Sequence, residues 1–178
     1  MKVRRVIVGL PPEPRSRTVL EDAARLALRM QAELVGMFLE DVNLLHFAAL
    51  PCAREVGIAS AMRRELDVPC MERSLRALAE ETRRALEAVA ARVAVRWSFR
   101  VARVAAAADL LAQAEEEDLV VADIGQTIAI ERPVPVRFVP AGDPEALRAA
   151  LEAGGGILVL AGPLSATGET LRRLLEGD

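Results

Sequence analysis

Apolar runs alternate with amphipathic stretches along the whole chain, and the period of the pattern changes in a regular order. Val3–Leu10 carries Val6-Ile-Val8, apolar on both faces as a central parallel strand requires, and Pro11-Pro12-Glu-Pro14 stops it. From about Ser16 to Gln31, apolar residues Val19, Leu20, Ala23, Leu26, Ala27 and Met30 recur at three-to-four spacing. That spacing predicts a helix, with Thr18-x-x-Glu21 as its capping box. Glu33–Glu40 reads as a second strand, again apolar on both faces, so the opening segment is a right-handed βαβ unit.

The pattern weakens between Asp41 and Asp67, where Asn43 could cap a short helix over Leu44–Leu50 before Pro51 and Gly57 interrupt. A long amphipathic helix follows from about Pro69 to Val93, with Leu75, Leu78, Thr82, Leu86, Val89 and Val93 on one stripe and a solvated charged face opposite. Val95–Val101 alternates strictly: Val95, Trp97, Phe99 and Val101 point one way, Arg96, Ser98 and Arg100 the other. One wet face places that strand near a sheet edge. A helix over about Ala105–Glu116 leads to Leu119–Asp123, apolar up to its aspartate and hence central.

Val134–Val139 contains Pro135, which cannot donate to a ladder, so this strand belongs at an edge. Asp143–Ala153 is a helix capped by Asp143 with Pro144 at its first position. Gly154–Gly156 leads into the strand Ile157–Ala161, and Ser165–Glu176 is the last helix. The block Phe99–Asp123 resembles Phe138–Ala161 in its order of strand, Ala/Leu helix and apolar strand, as a decayed duplication would. The expected architecture is α/β: a Rossmann-like open, mostly parallel sheet of about five to six strands with helices on both faces. With no flexible linker, residues 1–178 read as one domain, in which 131–178 adds a strand-helix-strand-helix segment.

Composition narrows the function classes. Apolar residues are 52% of the chain, too many for disorder, yet no apolar run reaches the ~18 residues of a membrane span. The start, Met1-Lys-Val-Arg-Arg5 and a short apolar run ended by Pro11-Pro12, lacks the features of an export signal, so a cytoplasmic location is expected. Cys52, Cys70 and the single histidine, His46, share no metal-ligand spacing; the cysteines read as small apolar residues in a reducing compartment, and no metal is expected. Of 23 basic residues only Lys2 is a lysine, net charge is −3, and aromatic residues are 3%. No basic cluster is interleaved with stacking side chains, so nucleic acid is not an expected partner.

The order of elements over residues 2–125 resembles the universal stress protein family. The resemblance rests on Arg5-Val-Ile-Val-Gly9, on Ala23-Ala-Arg-Leu-Ala27, and on Ala32-Glu-Leu-Val-Gly-Met-Phe-Leu-Glu-Asp41. The run from Asn43 to Val56 is similar to a proteobacterial branch of that family. It implies a Rossmann-like parallel sheet and a homodimer. Members that bind ATP carry an aspartate just after the first strand and Gly-x2-Gly-x9-Gly-Ser/Thr after the fourth. This chain has Gly9 or Leu10 in place of the aspartate, Gly125 at the first motif glycine, Ile128 at the second, and no Gly-Ser end. The departure argues against ATP as a cofactor.

Ligands of open parallel sheets bind beyond the carboxyl ends of the strands, at the switch in strand order. The residues expected there are Gly9, Leu10, Pro11, Glu40, Asp41, Arg103, Asp123, Gly125, Gln126 and Thr127. A phosphate loop needs several glycines and a hydroxyl, whereas Asp118–Pro133 supplies Gly125 alone and puts Asp123 where phosphate would lie. Glu40 and Asp41 could pair as acid and base, but no histidine or nucleophile accompanies them, and capping or solvation explains them equally. His46, among Leu44, Leu45 and Phe47, reads as a packing residue. Gly154–Gly156 lies at the wrong end of the sheet for phosphate and reads as a helix cap and turn. Gly162–Gly168, with Ser165 and Thr167 at a helix start, reads as an anion loop or a simple cap.

Two functions fit. The first is a non-catalytic regulatory or interaction protein of the universal stress type, a homodimer with a protein partner and no bound nucleotide. The second is an adenine-nucleotide binder or weak ATPase with a non-standard loop.

Overall fold

The structure, a computed structural model, describes residues 2–11, 17–50, 54–56, 63–65, 68–105, 107–123 and 133–177. Its strands are β1 (Arg5–Leu10), β2 (Glu33–Asp41), β3 (Arg54–Val56), β4 (Arg63–Glu65), β5 (Trp97–Val104), β6 (Asp118–Ala122), β7 (Val136–Pro140) and β8 (Ile157–Ala161). Its helices are α1 (Arg17–Arg29), α2 (Val42–Ala48), α3 (Val68–Val93), α4 (Ala107–Leu111), α5 (Pro144–Ala153) and α6 (Leu164–Glu176). Six strands form one sheet in the order β5-β2-β1-β6-β8-β7, every pair parallel. The protein therefore has an open, doubly wound α/β fold.

Strand composition set these positions. β1, β6 and β8 are apolar on both faces and lie inside the sheet, while β7, preceded by Pro135, takes one edge and β5 the other. The chain moves outward from β1 through β2 to β5 and then crosses back to β6. Right-handed crossovers consequently put α1 and α3 on one face of the sheet and α4 on the other. The cores agree. Val6, Val8, Leu34, Leu119 and Leu158 meet α1, α3, α5 and α6, whereas Ile7, Val35, Met37, Val120 and Val159 meet Leu110 and Leu111 of α4. Burying a side chain such as Phe38 or Leu119 contributes about 1.5–3 kcal/mol.

Several local expectations are corrected. Thr18 lies inside α1, which begins at Arg17, and Glu21 pairs with Arg92 of α3 at 2.9 Å rather than completing a capping box. The cap of α2 is Asp41, not Asn43: its carboxylate accepts from Asn43 N at 2.8 Å and Asn43 Nδ2 at 2.9 Å. α4 spans only Ala107–Leu111, because Gln113 and Ala114 fold back onto Leu110 and Leu111 and Asp118 accepts from Glu115 N at 2.7 Å. β5 runs on to Val104 because β2 continues to pair with it through Asp41. Val101 is 50% exposed, so the core beneath β5 ends at Phe99. His46 is exposed, not packed: Ala48 is the buried residue of the seven-residue α2, and Phe47 is 51% exposed. The antiparallel hairpin β3–β4 was not expected at all.

α1 and α6 meet at Gly168, where a Cβ would stand 3.3 Å from Val19 Cγ2. Beside that contact Asp22 is buried between Arg25 at 3.3 Å and Arg172 at 3.5 Å. Loss of water around the carboxylate outweighs the two guanidiniums and raises its pKa above the ordinary aspartate value. Between the unfolded and the raised value the native protein holds more protons than the unfolded chain. The contribution of Asp22 to stability therefore falls as pH rises through that window. Asp22→Asn is expected to be at least as stable as wild type at about pH 7 and to lose that relative advantage as pH approaches about 4. Urea midpoints across this range check it. A variant that is less stable than wild type at neutral pH would contradict the burial argument.

Candidate functional site

At the carboxyl edge of the sheet the switch in strand order falls between β1 and β6. Gly9 ends up closely packed there. A Cβ on it would meet Leu110 Cδ2 at 3.1 Å, Ala122 Cβ at 3.3 Å and Leu39 Cδ1 at 3.4 Å, so β1, β2, β6 and α4 converge on this residue. Leu10, next along β1, points to the opposite face and is fully buried in the core shared with α1 and α3. Pro11 is half-buried at the exit.

The acidic pair of β2 is engaged by neighbours. Glu40 is nearly buried and accepts from Arg103 Nε at 3.2 Å, its register partner across β2 and β5. Asp41, at the start of α2, is held by Asn43, whose Nδ2 also reaches Ala105 O at 3.3 Å. The two carboxylates therefore hold the β2 edge to β5 and to α2. Asp123 follows β6 and is exposed. Gly125, Gln126 and Thr127 lie outside the described residues, as does Ile128.

The loop before α6 uses its polar groups internally. Thr167 is buried and donates to Gly162 O at 3.2 Å and Pro163 O at 3.0 Å. Thr170, equally buried, donates to Ala166 O at 2.8 Å and accepts from Gly142 N at 2.7 Å. Pro163 occupies the cap position with no side-chain bond, and Ser165 is exposed. Gly154–Gly156 sits at the amino end of β8, away from the switch.

Two of the clefts among the described residues lie away from this edge. One of about 290 Å³ is lined by Leu26, Met30, Leu151 and Leu174 between α1, α5 and α6, with Arg29 and Arg148 at its rim. Arg29 Nη1 donates to Leu175 O at 3.3 Å and Arg148 Nη2 to Gly177 O at 3.4 Å, so both guanidiniums close the end of α6. The other lies at the amino end of β1, β2 and β5 and is taken up below. Among the described residues, no group of three His, Cys, Asp or Glu side chains is placed to hold a metal ion. No helix among them is long and apolar enough to cross a membrane.

The fold is that of an open parallel α/β protein whose strand order switches between β1 and β6. Among solved structures, a protein from the universal stress protein family from Burkholderia pseudomallei is similar at 18% identity, covering 89% of this chain and 96% of its own, with a TM-score of 0.49. No protein-family model matches the chain, and no curated protein matches it.

Proposed function

We propose that the protein is a non-catalytic regulatory or interaction module of the universal stress type, acting in the cytoplasm as a homodimer without bound nucleotide or metal. The observation that carries this reading is the end of β1. Where ATP-binding members of that family place an aspartate, this chain has a closely packed Gly9 and a fully buried Leu10. Neither carries a polar side chain for a base or ribose. The nearby carboxylates are engaged by Arg103 and Asn43, and Asp123 would repel a phosphate brought near it.

Calorimetry with Mg-ATP is expected to give no saturable binding in the low-micromolar range, around −8 kcal/mol. A constant in that range that requires the adenine base would displace this reading in favour of an adenine-nucleotide binder. Light scattering should give about 38 kDa, twice the 19.2 kDa chain. A mass of one chain at tens of micromolar would remove the dimer.

A further inference from the structure

The amino end of the sheet collects cations that the fold does not use. Lys2 and Arg4 lead into β1 and Arg96 into β5, and all are exposed. With Arg5, Gln31, Glu33 and Glu115 they line an open cleft of about 470 Å³. Arg5 is committed to Asp118 and lies 3.5 Å from Glu115, and Glu33 accepts from Ser98 Oγ at 2.5 Å. Among the described residues Lys2, Arg4 and Arg96 have no ion pair or side-chain hydrogen bond. Set against the carboxylates of Glu33 and Glu115, the four cations Lys2, Arg4, Arg5 and Arg96 still leave the cleft positive, on a chain whose net charge is −3.

The ordinary reason for cations here would be the negative ends of α1 and α3, which both finish at this edge. Those ends are already closed by backbone. Ala32 N donates to Ala27 O at 2.8 Å and Gln31 N to Leu28 O at 3.0 Å, with Gln31 at φ 55°. Val95 N donates to Ala90 O at 3.1 Å, with Ala94 at φ 60°. The side chains of Arg4 and Arg96 are thus not needed to satisfy terminal carbonyls.

We propose that this cleft binds a small, multiply charged phosphate-type anion, by contacts from Lys2, Arg4 and Arg96. β2 lies between β1 and β5, so the backbones carrying Arg4 and Arg96 stand about 10 Å apart. A chain of two or three phosphates meets both without drawing the guanidiniums together, where their repulsion would oppose binding. The site is separate from the carboxyl-edge crevice and does not depend on the function proposed above.

The test is calorimetry of the whole protein with inorganic tripolyphosphate at low salt, with orthophosphate alongside. Saturable binding is expected for tripolyphosphate, about tenfold or more tighter than for orthophosphate. The double variant Arg4→Ala/Arg96→Ala should weaken it about tenfold, since two exposed charge contacts are lost. Arg84→Ala, the same type of charge removed from the exposed face of α3, should leave it unchanged. On the wild-type protein, amide shifts on titration should concentrate at Gln31, Glu33, Arg96 and Glu115. Absence of saturable binding, equal loss in Arg84→Ala, or shifts centred elsewhere overturns the site. ATP that binds no more tightly than tripolyphosphate and is lost in the double variant belongs to this cleft. Adenine-dependent binding that survives the double variant would instead count against the function proposed above.

Discussion

Arg5→Ala is expected to destabilise the protein by about 3–5 kcal/mol, because it leaves a buried carboxylate without its counter-charge. Arg5 and Asp118 are register partners on β1 and β6, in the middle of the sheet. Asp118 is 1% exposed and accepts from Arg5 Nε at 2.9 Å, from its Nη2 at 2.5 Å and from Glu115 N at 2.7 Å. Such a bidentate contact lets one guanidinium satisfy both carboxylate oxygens, and it holds the Arg5 pKa above its ordinary value. Arg5→Lys keeps the charge and loses the fork, so it should cost less than the alanine change. Replacing both partners by apolar residues, Arg5→Met with Asp118→Leu, should recover much of the loss, because the uncompensated charge is then gone. Urea unfolding reads these effects as a lower midpoint at constant slope. A loss below about 1 kcal/mol for Arg5→Ala would mean that water reaches Asp118 and that the pair is a surface contact.

This pair also shows where sequence reading stops. The apolar cores of β1 and β6 were visible as runs, and Pro135 and the alternation of Val95–Val101 placed the two edge strands without any tertiary information. Nothing local marked Arg5 and Asp118 as partners, since they lie 113 residues apart and each looks like an ordinary charge beside a strand. The same limit applied to the candidate site. Glu40 and Asp41 end β2. Their occupation by Arg103 and Asn43 depends on a β2–β5 register that no spacing reveals. The hairpin β3–β4 went unseen because three-residue strands rich in charge carry no hydrophobic period. α2 departs for a related reason: Leu44, Leu45 and Phe47 suggest packing around His46, yet Leu44 and Phe47 are more than a third exposed.

The amino-end cleft was illegible for another reason. Twenty-three basic residues spread through the chain hid the few that have no internal partner. Arg25, Arg76, Arg83, Arg92, Arg103, Arg172 and Arg173 all reach acids of the same protein, most within a turn of a helix. Once these are set aside, the cations without such partners include Lys2, Arg4 and Arg96, brought to one edge by strand order rather than by sequence proximity.

The triple glycine provides the sharpest separation between a turn and a binding loop, and two alanine variants distinguish its members. Gly156→Ala should cost about 2–4 kcal/mol, and Gly155→Ala about 1 kcal/mol. Both residues have positive φ, 81° and 78°, so both carry the conformational cost of a left-handed alanine. Only Gly156 is also confined. A Cβ there would lie 2.2 Å from Pro135 O and 2.9 Å from Pro135 Cγ, whereas nothing stands within 4 Å of one on Gly155. The chain cannot relax freely to make room. Pro135 O accepts from Ile157 N at 2.8 Å, and Gly156 O accepts from Glu117 N at 2.9 Å, so moving either backbone loosens the entry to β7 or β6. Glycine is therefore required at Gly156 by the approach of the Pro135 backbone, with no ligand involved. Thermal or urea denaturation of the two variants should rank them in that order by about 2 kcal/mol. Equal losses would show that the Pro135 segment yields and that β7 is held by its pairing with β8 alone.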